Sequence, residues 1–148
     1  MNGSARSKVN LGSALARMLL PPGAVVLLHG LFSLGLGLYD LLPSLDIAMH
    51  LAGGMTVAYS FGVLLDLLEA HRLIGFGHEL VRAFVIASLV TSAATGWEFV
   101  EFLCDRFAGT RAQLGLRDTL GDILVGILGG LAFLVLVYRR KPGRSNPP

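Results

Sequence analysis

Four stretches of mainly apolar residues, each about as long as the roughly 20 residues that a helix needs to cross a bilayer, dominate this chain. They run from about Pro22 to Leu42, Ile47 to Leu68, Arg82 to Cys104 and Thr119 to Tyr138. No water reaches backbone N–H and C=O groups in hydrocarbon, so such stretches must satisfy them internally, as helices do. The expected fold class is an all-α integral membrane protein: four transmembrane helices in an up-down bundle. Residues 1–15 and 142–148 are expected to be disordered cytoplasmic tails around one transmembrane domain at 16–141.

Composition agrees. Hydrophobic residues make up 53% of the 148 positions and charged residues only 15%, against about 25% in a soluble domain. The lone Cys104 forms no intramolecular disulfide, so helix packing must hold the fold. The formal charge of +2 and the sequence pI of about 9.0 come largely from Arg6, Lys8 and Arg17 at one end and Arg139, Arg140, Lys141 and Arg144 at the other. Basic tails flanking apolar runs are topology signals, and no nucleic-acid partner is expected. The first run exceeds the 7–15-residue core of a signal peptide and no A-x-A-like site closes it, so it reads as a span.

With four antiparallel helices, the N-terminal tail, the 66–82 loop carrying Arg72 and Arg82, and the C-terminal tail share one side. The positive-inside rule makes that side cytoplasmic, in a bacterial inner membrane. The 105–117 loop is then external, although it holds Arg106, Arg111 and Arg117.

In this topology three segments bring ionisable residues to the outer leaflet. "DIAMH" places Asp46 and His50 at the start of the second helix. "GWEFVEF" places Glu98 and Glu101 at the end of the third, and "RDTLGD" places Asp118 and Asp122 at the start of the fourth. Spacings of three and four align each pair on one helix face. At 1.5 Å per residue, His50 and Asp122 lie roughly 6 Å below the helix starts. Ionisable side chains at membrane depth cost about 2.5–3.5 kcal/mol each at a helix centre. Several carboxylates of one sign around a histidine call for a cation, captured protons or the loop arginines to offset them. Asp46 and Asp118 also suit helix N-caps. Trp97 suits an interfacial anchor, and Glu101 the aqueous edge. His29 falls near the middle of the first run, away from the cluster's depth, while His71 and His78 fall in a polar loop. Rows of small residues, Gly126 with Gly130, Ala58 with Gly62, and Ser88, Ser92 and Gly96, would let neighbouring backbones approach.

An Asp-x-x-x-His-x-x-Gly-Gly helix start, a Trp-Glu-x-x-Glu helix end and an Asp-x-x-x-Asp start followed by glycines, in that order, resemble the VanZ-like superfamily and its small YjdF-type inner-membrane proteins. The resemblance spans about residues 40–130. It implies that Asp46, His50, Glu98, Glu101, Asp118 and Asp122 are the characteristic polar positions. VanZ itself tends to carry glutamine where Glu101 stands and asparagine where Asp122 stands, so this pocket is the more acidic. The namesake's link to teicoplanin resistance implies no reaction.

Two functions are consistent with these residues. In one, the acidic/His pocket binds a cation, small solute or lipid headgroup, with membrane lipids as partners. Any transport path would need a homo-oligomer, since four short helices enclose little volume. In the other, a divalent metal held by His50, Glu98 and Asp122 assists an enzyme acting on a lipid-linked phosphate or glycan, while Arg106, Arg111 and Arg117 bind the anionic headgroup.

Overall fold

The computed structural model describes residues 11–140. Arg6, Lys8, Lys141 and Arg144, and most of the expected tails, lie outside them. Helix α1 spans Leu11–Gly30 and runs into a π-helical turn, Leu31–Gly35. A short α2, Leu38–Leu41, is followed by three long helices: α3 Ser44–Ala70, α4 Glu79–Ala108 and α5 Leu116–Arg140. Four segments are long and apolar enough to cross a membrane: Leu11–Ser33, Ser44–Ala70, Glu79–Ala108 and Leu116–Val137. The four-helix transmembrane bundle is therefore present.

The first helix departs from the sequence reading. Its expected start at Pro22 is replaced by a start at Leu11, inside the stretch expected to be tail, so both prolines stand within the helix. Proline lacks the N–H that would bond the carbonyl four residues back. For Pro22 that carbonyl belongs to Met18, and Ser60 Oγ of α3 donates to it at 2.6 Å. A neighbouring helix thus takes up the acceptor that proline frees, which is how membrane helices tolerate proline. Arg17 Nε bonds the Ser13 carbonyl at 3.3 Å within the same segment. Moving the helix eleven residues toward the N-terminus carries His29 from mid-membrane to the helix end.

After His29 the chain turns back. Leu36 N–H bonds Leu31 O at 2.9 Å, the wide ring of a π turn. Gly37 then takes a left-handed conformation, φ 59°, which costs a residue without Cβ little. Helix α2 falls at the end of the expected first stretch, just before Leu42, and Pro43 precedes α3.

Helix α3 is central. It packs most extensively on α5 and also on α1 and α4, whereas the backbone of α1 comes close only to that of α3 among the long helices. Glycines set the α3–α5 distance: a Cβ on Gly54 would run into the Gly126 carbonyl, and one on Gly129 into the Leu51 carbonyl. Gly130 receives Val90, whose Cγ1 would lie 2.7 Å from an added Cβ. Gly62 and Gly96, from the same expected rows, have open space instead.

One end of the bundle is apolar and charge-balanced. Ala58, Leu65, Ile86, Val90 and Leu134 form its core, with Phe61, Phe76 and Phe133 against them. Arg82 bridges α4 to α3 through Asp66 Oδ1 at 2.5 Å and the Gly62 carbonyl at 3.0 Å, with Glu69 Oε2 3.6 Å away. His78 starts α4 by accepting from Leu80 N–H at 3.1 Å. The other end gathers α1's last turn, α2, the start of α3, the end of α4 and the start of α5.

Candidate functional site: a His–carboxylate cluster at one end of the bundle

His50 occupies the first turns of α3, one turn below Asp46. Its Nε2 lies 3.5 Å from Asp46 Oδ1 and 4.0 Å from Asp122 Oδ1 of α5, both beyond the roughly 2.7–3.2 Å of an ordinary N–H···O bond. The three donor atoms lie within 4.8 Å of one another. Ligands at about 2.1 Å around a tetrahedral ion stand roughly 3.4 Å apart, so this spacing is close to that of metal ligands.

His29 approaches from α1, with its ring centroid 6.0 Å from that of His50. Its Nδ1 is 2.9 Å from the Tyr39 hydroxyl and its Nε2 3.2 Å from Glu101 Oε1. A carboxylate only accepts, so Nε2–H is the donor toward Glu101, and in the tautomer protonated there Nδ1 accepts from the Tyr39 hydroxyl. Trp97 Nε1–H donates to the same Glu101 oxygen at 2.8 Å. Burial, then the charges of Asp46, Glu101 and Asp122, push the Tyr39 phenol above its usual range and keep it a donor. His29, His50 and Glu101 form a second group whose donor atoms lie within 4.8 Å, sharing His50 with the first.

The remaining expected residues take separate places. Glu98 and Glu101 are both buried, so Glu101 does not reach the aqueous edge. Three residues apart, they nonetheless diverge: Glu101 meets His29 and Trp97, while Glu98 receives Gln113 Nε2 on its Oε2 at 3.2 Å and on its main-chain carbonyl at 2.9 Å. Of the set His50, Glu98 and Asp122, the structure brings together His50 and Asp122, and the second carboxylate beside them is Asp46. Glu98 instead borders a cavity of about 340 Å³ with Thr95, Gln113 and Thr119. Asp118 accepts from Leu114 N–H at 3.0 Å, just ahead of α5. Pro43 stands at the N-cap of α3, so Asp46 falls in the first turn and not at the cap. Arg106, Arg111 and Arg117 are exposed at the same end, and among the described residues none pairs with the cluster.

Asp105 organises the loop that carries Arg111. One carboxylate oxygen accepts from Thr110 Oγ1 at 2.5 Å and Ala112 N–H at 2.8 Å, and the other from Gln113 N–H at 2.9 Å. These bonds hold Gln113 over Glu98.

Beneath the cluster an apolar slot of about 230 Å³ penetrates the bundle. Its walls come from α1 (Val25, Val26), α3 (Gly53, Val57) and α4 (Ala93, Ala94), and its head from His29, His50 and Trp97.

Sequence reasoning left out Tyr39, Gln113 and Asp105 and placed His29 at the wrong depth. The Gly35 and Gly37 pair was the available sign of a chain reversal that could return Tyr39 to His29.

No solved structure matches this chain. An uncharacterized protein of Thermotoga maritima is 29% identical over 121 residues, 80% of this chain, and the chain spans 60% of that protein's length. The polytopic helical architecture and buried His/acidic cluster stand together with a match over residues 13–143 to one family, and on that match the chain belongs to the DUF2238 family of predicted membrane proteins.

Proposed function

We propose that this protein binds a divalent cation between Asp46, His50 and Asp122, at the external face of a bacterial inner membrane. The observation that carries the reading is the placement of His50 Nε2 between two carboxylates at near-ligand spacing, with no lysine or arginine paired to either acid among the described residues. At the opposite end Arg82 balances Asp66 and Glu69. Here a cation is the missing partner, because isolated carboxylates in a low-dielectric setting are costly. One imidazole and two carboxylates suit Zn²⁺ or Mn²⁺. The Tyr39–His29–Glu101–Trp97 chain supports the site by holding its neighbouring wall in one orientation.

Affiliation with the VanZ-like superfamily is part of this reading, supported by the order of the three polar motifs. So is the orientation with both termini cytoplasmic, supported by the basic tails.

The test is metal content. Protein purified in lipid nanodiscs and equilibrated with Zn²⁺ is expected to hold about one ion, which Asp46→Asn, His50→Ala and Asp122→Asn each remove while helicity by circular dichroism persists. Glu98→Gln is expected to retain it. Zinc retained in all three cluster variants overturns the reading.

A second reading is a metal-assisted enzyme acting on a lipid-linked phosphate. Its support is that three protein ligands leave a coordination position for water or substrate, with three exposed arginines at the same end. Metal-dependent phosphate release from such a lipid, lost in Asp122→Asn, is expected; its absence from the metal-loaded protein overturns this second reading.

A further inference from the structure

We infer that the slot beneath the His–carboxylate cluster is a binding site for the hydrocarbon tail of a single membrane lipid, whose phosphate lies at the His29–His50 head. The chain site stands on the slot itself; the phosphate contact rests on the cation site proposed above.

The slot exists because α1 and α4 stand apart. Both helices pack on α3, but the backbones of α1 and α4 do not approach each other among the described residues, and side chains bridge the two helices at the head, where His29 meets Glu101 and Trp97. Residues from each nevertheless face the same space, Val25 and Val26 on one side and Ala93 and Ala94 on the other. Val26, in the α1 wall, is exposed on the flank of a membrane-spanning helix, so a slot reached from that flank takes lipid rather than water. Small residues hollow out the interior. Gly53 lies in the wall of α3, where an added Cβ would meet only Val25 Cγ1 at 3.9 Å. Gly54 is taken up by the close α3–α5 packing that closes the back.

From Met49 to Val57 the slot runs along α3 for roughly 12 Å at 1.5 Å per residue, slightly less than the ~15 Å of one leaflet's hydrocarbon. That depth accommodates much of one chain. An ordinary lipid-facing groove would be apolar throughout, whereas this one ends on two imidazoles and an indole. Ring centroids of His29 and Trp97 are 5.3 Å apart, and those of His29 and His50 6.0 Å. A chain filling the slot therefore presents its first polar atoms to the cluster, where a phosphate oxygen can complete the coordination of a bound cation. Concave apolar walls with a few convergent polar groups are the usual anatomy of a small-molecule site.

Trp97 is the chain's sole tryptophan and lines the slot, which makes it the reporter. The full chain in phosphatidylcholine nanodiscs is titrated with a terminally brominated undecyl phosphate, the matching brominated alcohol and inorganic phosphate. Saturable quenching of Trp97 by both brominated compounds is expected, with half-saturation for the phosphate about tenfold lower in zinc-loaded than in zinc-free protein. Gly53→Leu, and Ala93→Leu as a second filling change, should remove the saturable component while zinc stoichiometry holds. His50→Ala should abolish the zinc effect and leave quenching by the alcohol intact.

Quenching that rises linearly in the unmodified protein, or that persists unchanged in both filled variants, overturns the inference. An equal response to inorganic phosphate alone overturns the lipid assignment. Saturable quenching indifferent to zinc sustains the chain site and overturns its phosphate contact through the cation.

Discussion

Tyr39 and His29 share a hydrogen bond of 2.9 Å across the π turn that separates them, with the rings edge-to-face at 5.3 Å. The tyrosine thereby fixes both the tautomer and the orientation of a histidine whose other nitrogen meets Glu101. A folded phenol pKa above its unfolded value of about 10 leaves this contribution to stability intact below pH 10. It is lost as pH rises past 10, because the unfolded chain ionises first. Unfolding of the protein in detergent is expected to become easier above pH 10, and less steeply in Tyr39→Phe. Ultraviolet difference spectra between the two proteins should show no phenolate from Tyr39 at pH 10; half-ionisation there contradicts the assignment.

Ser60 and Pro22 should behave as a coupled pair. Ser60→Ala strands the Met18 carbonyl and is expected to cost about 1 kcal/mol, within the range of interhelical bonds in membranes. Pro22→Ala restores a donor within α1. A double-mutant cycle read by reversible unfolding should therefore show a smaller Ser60→Ala cost in the Pro22→Ala background, and strict additivity would refute the relation.

The two glycines Gly54 and Gly62 lie eight residues apart on α3 and predict opposite results for the same change. Gly54→Ala forces a methyl into the Gly126 carbonyl, so a loss of about 1–3 kcal/mol or more is expected. Gly62→Ala meets nothing and should be neutral or stabilising by up to about 1 kcal/mol through helix propensity. Thermal unfolding in one detergent checks both, and equal effects would show that the α3–α5 approach is looser than described.

Asp105→Ala removes the acceptor for Thr110, Ala112 and Gln113 at once. The loop over residues 109–115 should loosen, seen as faster hydrogen exchange at the Ala112 and Gln113 amides and faster tryptic cleavage after Arg111. Zinc content should hold, since Asp105 lies outside both His50 groups. Unchanged exchange would mean that the loop is held by other contacts.

The sequence by itself determined the architecture. Four runs of bilayer length and the lack of any competing soluble pattern leave only a helical bundle, because hydrocarbon demands internally bonded backbone. Helical spacing also put Asp46 with His50, and Asp118 with Asp122, on single faces. Tertiary structure alone decided which of these acids meet. Spacing puts Glu98 and Glu101 on one side of α4, yet three residues still leave their side chains about 60° apart around the axis, enough to send Glu101 to His29 and Glu98 to Gln113. It also decided the depth of His29. Read locally, two prolines start a helix; in the bundle Ser60 satisfies the carbonyl that Pro22 frees, α1 continues through both prolines, and His29 rides to the end where Tyr39, Glu101 and Trp97 wait. A partner 42 residues away along the chain carries no local signature.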